Sequence, residues 1–213
     1  MITAAKALYP EYNVDVLLEF IGNLEAPMSV AQAQGKTSQY DVVWGGIAPR
    51  DRPKCLREMS VREVLNWQDS IDARYNSEAA GKYQIMEDTL RGIPVDRSSK
   101  FDERMQDICA LALLEKRGLK DFLRGETSKE KFALSLAKEW ASFPVPFNIL
   151  SANGEVIKKA GTSYYPSNNK ALIDVKSVLQ TLELVRGEKK AVELSDGEKL
   201  KILWDDYQKR SAG

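Results

Sequence analysis

Glu25 is the residue of this chain best placed to give up a proton. It stands in Ile-Gly-Asn-Leu-Glu-Ala-Pro, where Ile21, Leu24, Ala26 and Pro27 could shield a carboxyl from water. Burial of that kind raises a carboxyl pKa toward neutrality and makes a general acid of it. Subtraction strengthens the candidate, because the sequence contains no histidine. Ser-His-Asp and Cys-His catalysis and His-containing zinc sites are thereby removed, and carboxylates remain as the acid/base groups. Position alone favours the blander reading of a solvated surface glutamate, since the helix dipole prefers cations at a C-terminal turn.

The elements that must hold Glu25 are legible around it. Asn13 has the residue type of an N-cap, and Val14, Leu17, Leu18, Ile21 and Leu24 follow on one helical face until Pro27 stops the helix. Tyr40 to Trp44 then alternate as a short strand, with Gly45-Gly46 as a tight turn and Ile47-Ala48 returning, a small β-hairpin. Asp41, beside the glycine pair, either stabilises a developing cation or holds the hairpin by hydrogen bonds. Ser60 with Glu63, and Thr127 with Glu130, have capping-box spacing at the starts of two further helices. Between these lies one strongly amphipathic helix with Phe101, Met105, Ile108 and Ala112 on its stripe and Leu111 and Leu114 flanking it, closed by Lys116-Arg117-Gly118.

Residues 147–171 form a long irregular segment with an Asn153-Gly154 turn signal. Two helices, near Val175–Val185 and Asp196–Gln208, close the chain. The fold class expected is α+β, predominantly helical, with residues 1–174 as one domain and 175–213 as a helical C-terminal extension packed on it or serving as a docking surface.

Composition bounds the partners. Across 213 residues, Lys+Arg and Asp+Glu balance at 31 each, so no polyanionic partner such as nucleic acid is demanded. The first residues lack a signal-peptide pattern, and no apolar run is long enough to span a bilayer. Synthesis in a cytoplasm without membrane insertion is therefore expected. Cys55 and Cys109 are too few and too far apart for a disulfide scaffold, and no metal or cofactor is expected.

Four motifs occur in order: Glu25; Tyr40-Asp41-Val42-Val43-Trp44-Gly45-Gly46; Ala80-Gly81-Lys82-Tyr83-Gln84-Ile85; and Trp140-Ala141-Ser142-Phe143-Pro144. With Leu114-Glu115-Lys116-Arg117-Gly118, they make the region from about residue 14 to 144 resemble the lambda-type endolysins, lysozyme-like lytic transglycosylases of phages and prophages. The resemblance implies a lysozyme-like fold in which Glu25 is the catalytic acid and base and faces the hairpin across a cleft. It implies that Tyr83 and Gln84 line the saccharide subsites, with Lys82, Tyr40 and Asp41 beside them. Lys82 stands where the family has arginine, which keeps the charge and loses the planar fork. Around the acid, Asn-Leu-Glu-Ala-Pro departs from the family's Ser-Glu-Gly-Thr type of run. The Gly161–Leu172 stretch is similar to a Tyr-Tyr-Asn loop of related prophage hydrolases, through which Tyr165 and Asn168 would reach the sugar.

The activity implied is cleavage of the β-1,4 bond between N-acetylmuramic acid and N-acetylglucosamine, with 1,6-anhydromuramic ends as products. The alternatives are a hydrolytic muramidase using the same acid, or a non-catalytic wall-binding component of a phage-like particle. The partners implied are peptidoglycan glycan strands and either a holin-type pore or particle proteins. The enzyme would be a monomer acting on the periplasmic cell wall.

Overall fold

The structure, a computed structural model, describes residues 3–165 and 169–187. Its helices are α1 (Ala4–Leu8), α2 (Val14–Glu25), α3 (Met28–Ala33), α4 (Val61–Asp72), α5 (Glu87–Arg91), α6 (Glu103–Lys116), α7 (Leu119–Leu123), α8 (Lys129–Ala137) and α9 (Val175–Arg186). Among the described residues the one sheet is an antiparallel pair, β1 (Ile149–Leu150) and β2 (Val156–Lys158). The chain is α+β and predominantly helical, as its patterning leads one to expect.

α6 packs against α1, α2 and α7. Its cap is Asp102, whose side chain accepts from the Met105 N–H, a contact of the kind that stabilises a helix by about 1 kcal/mol. The single apolar stripe expected for this helix is corrected. Gln106, Cys109, Ala110, Leu111, Leu113 and Leu114 are buried, whereas Met105, Ile108 and Ala112 are covered only in part. A helix packed on several sides is lined all round, so a one-face pattern cannot describe it.

α2 follows its sequence pattern closely, burying Val14, Leu17, Leu18 and Ile21. Asn13 does not cap its own helix. Its Nδ2 donates to the Leu184 carbonyl at 3.1 Å and its N–H to the Val185 carbonyl at 2.9 Å, so it satisfies the end of α9 instead. α9 crosses α2 and α8 and sinks Val178, Leu182 and Val185 into the core that holds α2. The second expected C-terminal helix, Asp196–Gln208, lies outside the described residues.

The expected hairpin at Tyr40–Ala48 does not form. Gln39–Asp41 is a 3-10 turn capped by Ser38, and Val43 bridges Ala80, which in turn bridges Ile85. Ile47 is buried in the core, while its carbonyl and that of Gly45 accept from the Arg52 guanidinium at 2.7 and 3.1 Å. Those acceptors are thus used by a side chain rather than by a returning strand. The actual hairpin lies within the segment read as irregular, turning at Asn153-Gly154. The capping box at Ser60 and Glu63 forms as expected, but α8 is capped by Ser128, one residue beyond Thr127.

Candidate active site

Glu25 ends α2, and the turn that carries it is held from outside. The buried amide of Gln39 donates to the Ala26 carbonyl at 2.9 Å and to Asn23 Oδ1 at 3.0 Å. Helix ends leave carbonyls without intrahelical partners, and here a side chain from the following 3-10 turn supplies the donor. The backbone under the Glu25 side chain is therefore fixed.

The Glu25 carboxyl is half-buried, and the Ser142 hydroxyl donates to its Oε1. Burial raises its pKa from 4.5 to about 7, the Ser142 donation pulling less strongly in the opposite direction. A carboxyl balanced at that point can hand over a proton and accept one back near neutral pH.

Glu25 opens onto a groove of about 1120 Å³, whose lining includes Trp44, Gln84, Trp140, Ser142 and Tyr165. Gln84 reaches it from a turn made by Gly81, which sits at φ 78° and where a Cβ would come within 2.2 Å of Gln106 Oε1. Gln84 itself has φ 47°, a left-handed conformation uncommon outside glycine and frequent at functional sites. Its Nε2 donates to the Gly81 carbonyl at 2.8 Å, and its Oε1 has no partner among the described residues. The Trp140 indole donates to the Tyr83 carbonyl at 3.2 Å and the Tyr165 hydroxyl to the Lys138 carbonyl at 2.8 Å, so both rings are anchored by their polar ends.

Glu25, Gln84 and Tyr165 are thus brought together, whereas Tyr40, Asp41, Lys82 and Tyr83 do not line the groove. The hydroxyls of Tyr40 and Tyr83 donate to Asp107 Oδ1 at 2.9 and 2.6 Å, in a site whose burial raises the Asp107 pKa. Lys82 Nζ donates to Glu19 at 2.6 Å and lies 4.9 Å from the Tyr40 ring centroid. Its stem fills the space beside Gly22, where a Cβ would meet Lys82 Cε at 2.2 Å. This cluster clamps the Lys82-Tyr83 segment to α2 one turn before Glu25. Asp41 accepts from the Arg57 side chain at 2.9 Å and from its N–H at 3.1 Å, tying two 3-10 turns together. Asn168 lies outside the described residues.

Ser142, which donates to Glu25, is a candidate site residue that reading the sequence did not single out. Its signal was present in the Trp140–Pro144 motif, but a serine between an alanine and a phenylalanine carries no periodicity or spacing of its own.

A family model described as Endolysin matches residues 17–152, more than half of the chain, and that span contains Glu25, Trp44, Gln84 and Ser142. No curated protein and no solved structure matches the chain. No helix among the described residues is long and apolar enough to cross a membrane. By that match over residues 17–152 the chain belongs to the Endolysin family, phage proteins that degrade the peptidoglycan of the cell wall.

Proposed function

We propose that this endolysin has a lysozyme-like catalytic domain and cleaves the β-1,4 bond between N-acetylmuramic acid and N-acetylglucosamine as a lytic transglycosylase, with Glu25 as acid and then base. The observation that carries this reading is the Glu25 carboxyl, raised to about 7 where it opens onto a groove of about 1120 Å³. Glu25 protonates the bridging oxygen as the bond from it to the muramic anomeric carbon breaks. The muramic C6 hydroxyl then attacks that carbon and returns its proton to the Glu25 carboxylate. One bond is broken and one formed, no water is consumed, and the enzyme ends in its starting protonation state.

The distribution of other carboxylates supports the intramolecular route. A hydrolytic enzyme needs a second carboxylate as nucleophile or to activate water. Asp41 is committed to Arg57, and Asp51 to Arg74 and Tyr75. Neither of these lines the groove; of the acids that do, besides Glu25, Glu139 is paired with Arg117 at 2.6 Å, so Asp88 is the carboxylate that a hydrolytic route would have to use. Trp44 and Gln84 then serve as a stacking surface and a hydrogen-bonding partner for the acetamido sugars. Access to the wall through a holin-type pore or inside a phage-like particle completes the proposal.

Digestion of sacculi by the purified chain followed by mass spectrometry tests it. Products lighter by one water than the hydrolytic muropeptides are expected, and Glu25→Gln is expected to slow their release by roughly a thousandfold. Reducing-end products with the same dependence on Glu25 would establish a muramidase. Wall clearance unaffected by Glu25→Gln would overturn the catalytic assignment.

A further inference from the structure

The chain carries as many acidic as basic residues, 31 of each, but its groove is not balanced. The lining holds Lys116, Arg117, Lys138 and Lys170 against Glu25, Asp88 and Glu139. Arg117 and Glu139 neutralise each other, and Glu25 is mostly protonated below about 7. Three lysines therefore face one remaining acid, Asp88. Lys116 and Lys170 are exposed and make no ion pair or hydrogen bond among the described residues. The Lys138 ammonium lies 5.5 Å from the Tyr164 ring centroid, with Lys158 on the same ring at 5.7 Å.

Helix ends account for part of this. Lys116 is in the last turn of α6 and Lys138 caps α8, where the dipole draws cations. Lys170 belongs to the loop before α9 and has no such reason to be there. Convergence of all three on one groove is also not a dipole effect. The glycan does not require them either: acetylated glucosamine is neutral, and the lactyl carboxyl of muramic acid is consumed in the amide that bears the stem peptide. The negative charge on such a strand sits in the stem peptide's free carboxylates.

Resting on the cleavage proposed above, we infer that the Lys116, Lys138 and Lys170 side of the groove binds the carboxylates of the stem peptide, so that the enzyme selects peptide-bearing, anionic strands. The contact is between exposed charges, each modest in energy and screened by salt.

The test measures kcat/KM on soluble, uncrosslinked peptide-bearing glycan strands, before and after their stem carboxylates are converted to neutral methylamides. The full chain is compared with Lys116→Gln/Lys170→Gln and with Lys116→Arg/Lys170→Arg. The wild type is expected to prefer the free carboxylates by roughly fivefold at low salt, a preference that shrinks as salt is added. The glutamine pair should bring the ratio of the two substrates close to one, and the arginine pair should keep it. A wild-type ratio near one, or an unchanged ratio in the glutamine pair, overturns the inference while leaving the cleavage reading intact. Failure of the wild type to cut either strand overturns both.

Discussion

The Ser142 hydroxyl donates to Glu25 Oε1, joining the segment after α8 to the last turn of α2. That bond favours the ionised carboxylate, whereas burial favours the neutral acid, and burial is the stronger of the two. Removing the hydroxyl with Ser142→Ala leaves burial unopposed and raises the pKa of Glu25 further. The descending limb of kcat/KM against pH, which reports loss of the acid's proton, should then move to higher pH. At pH 6 the variant should be about tenfold slower, one hydrogen bond's worth of orientation. A limb that does not move would show that Ser142 does not bear on the proton of Glu25, and one that moves toward acid would reverse the sign assigned to its hydrogen bond.

The same shift sets a stability prediction. Glu25 ionises near 4.5 in the unfolded chain and near 7 in the fold. Between those values the native state holds more protons than the unfolded one, so stability falls as pH rises through this window. The favourable contribution is complete below 4.5 and gone above about 7. Glu25→Gln has no proton to lose, so its Tm should exceed that of the wild type at pH 8 and match it at pH 4. Equal Tm values at both pH values would mean that the carboxyl is not desolvated.

Gly22 and Lys82 should be coupled. A methyl group on Gly22 would enter the space held by the Lys82 stem, which is buried and ends on Glu19. Alanine normally favours a helix by about 1 kcal/mol over glycine, but overpacking costs roughly 1–3 kcal/mol. Gly22→Ala is therefore expected to destabilise the chain, and adding Lys82→Ala to restore part of the loss. Chemical denaturation of the two single variants and the double variant measures the coupling; additive losses would contradict this packing.

Tyr83→Phe separates a supporting role from a sugar-binding one. The Tyr83 hydroxyl donates to Asp107 beside that of Tyr40, and the ring is almost wholly buried. Loss of this donor to a partly buried carboxyl should lower stability by about 1–3 kcal/mol and leave KM for glycan strands within twofold. A raised KM with an unchanged Tm would return Tyr83 to the saccharide subsites.

These contacts show where the sequence was legible and where it was not. α2 and its terminal acid were readable because the helix buries one face, so the 3.6-residue period survives and Pro27 marks its end. α6 was readable as a helix but its buried positions were not, since a helix covered on several sides blurs its own stripe. The Tyr40–Ala48 hairpin failed because alternation records burial and not the pairing partner. Val43 pairs with Ala80 some forty residues away, a choice made by tertiary contacts. In the candidate site, Gln84 was legible through its motif, whereas Ser142 enters it only because α2 ends opposite it. The residues flanking Gln84 in that motif proved to face the Asp107 cluster, as neighbours in a tight turn point in different directions.

Gln84 offers the sharpest separation of stability from function. Its backbone at φ 47° is strained for a side chain with a Cβ, at a cost on the order of 1–3 kcal/mol, and glycine adopts this conformation freely. Gln84→Gly relieves that strain and loses the hydrogen bond to the Gly81 carbonyl together with the amide oxygen exposed in the groove. Backbone relief and the lost bond are of similar size, so Tm should stay within a few degrees of the wild-type value. kcat/KM on glycan strands should fall by about tenfold or more, because the amide has no replacement as a partner for the sugar. Thermal denaturation and initial rates on the same preparation decide the matter. Full activity in a variant of normal stability would mean that the left-handed turn serves the fold alone and that the sugar is held by other groups in the groove.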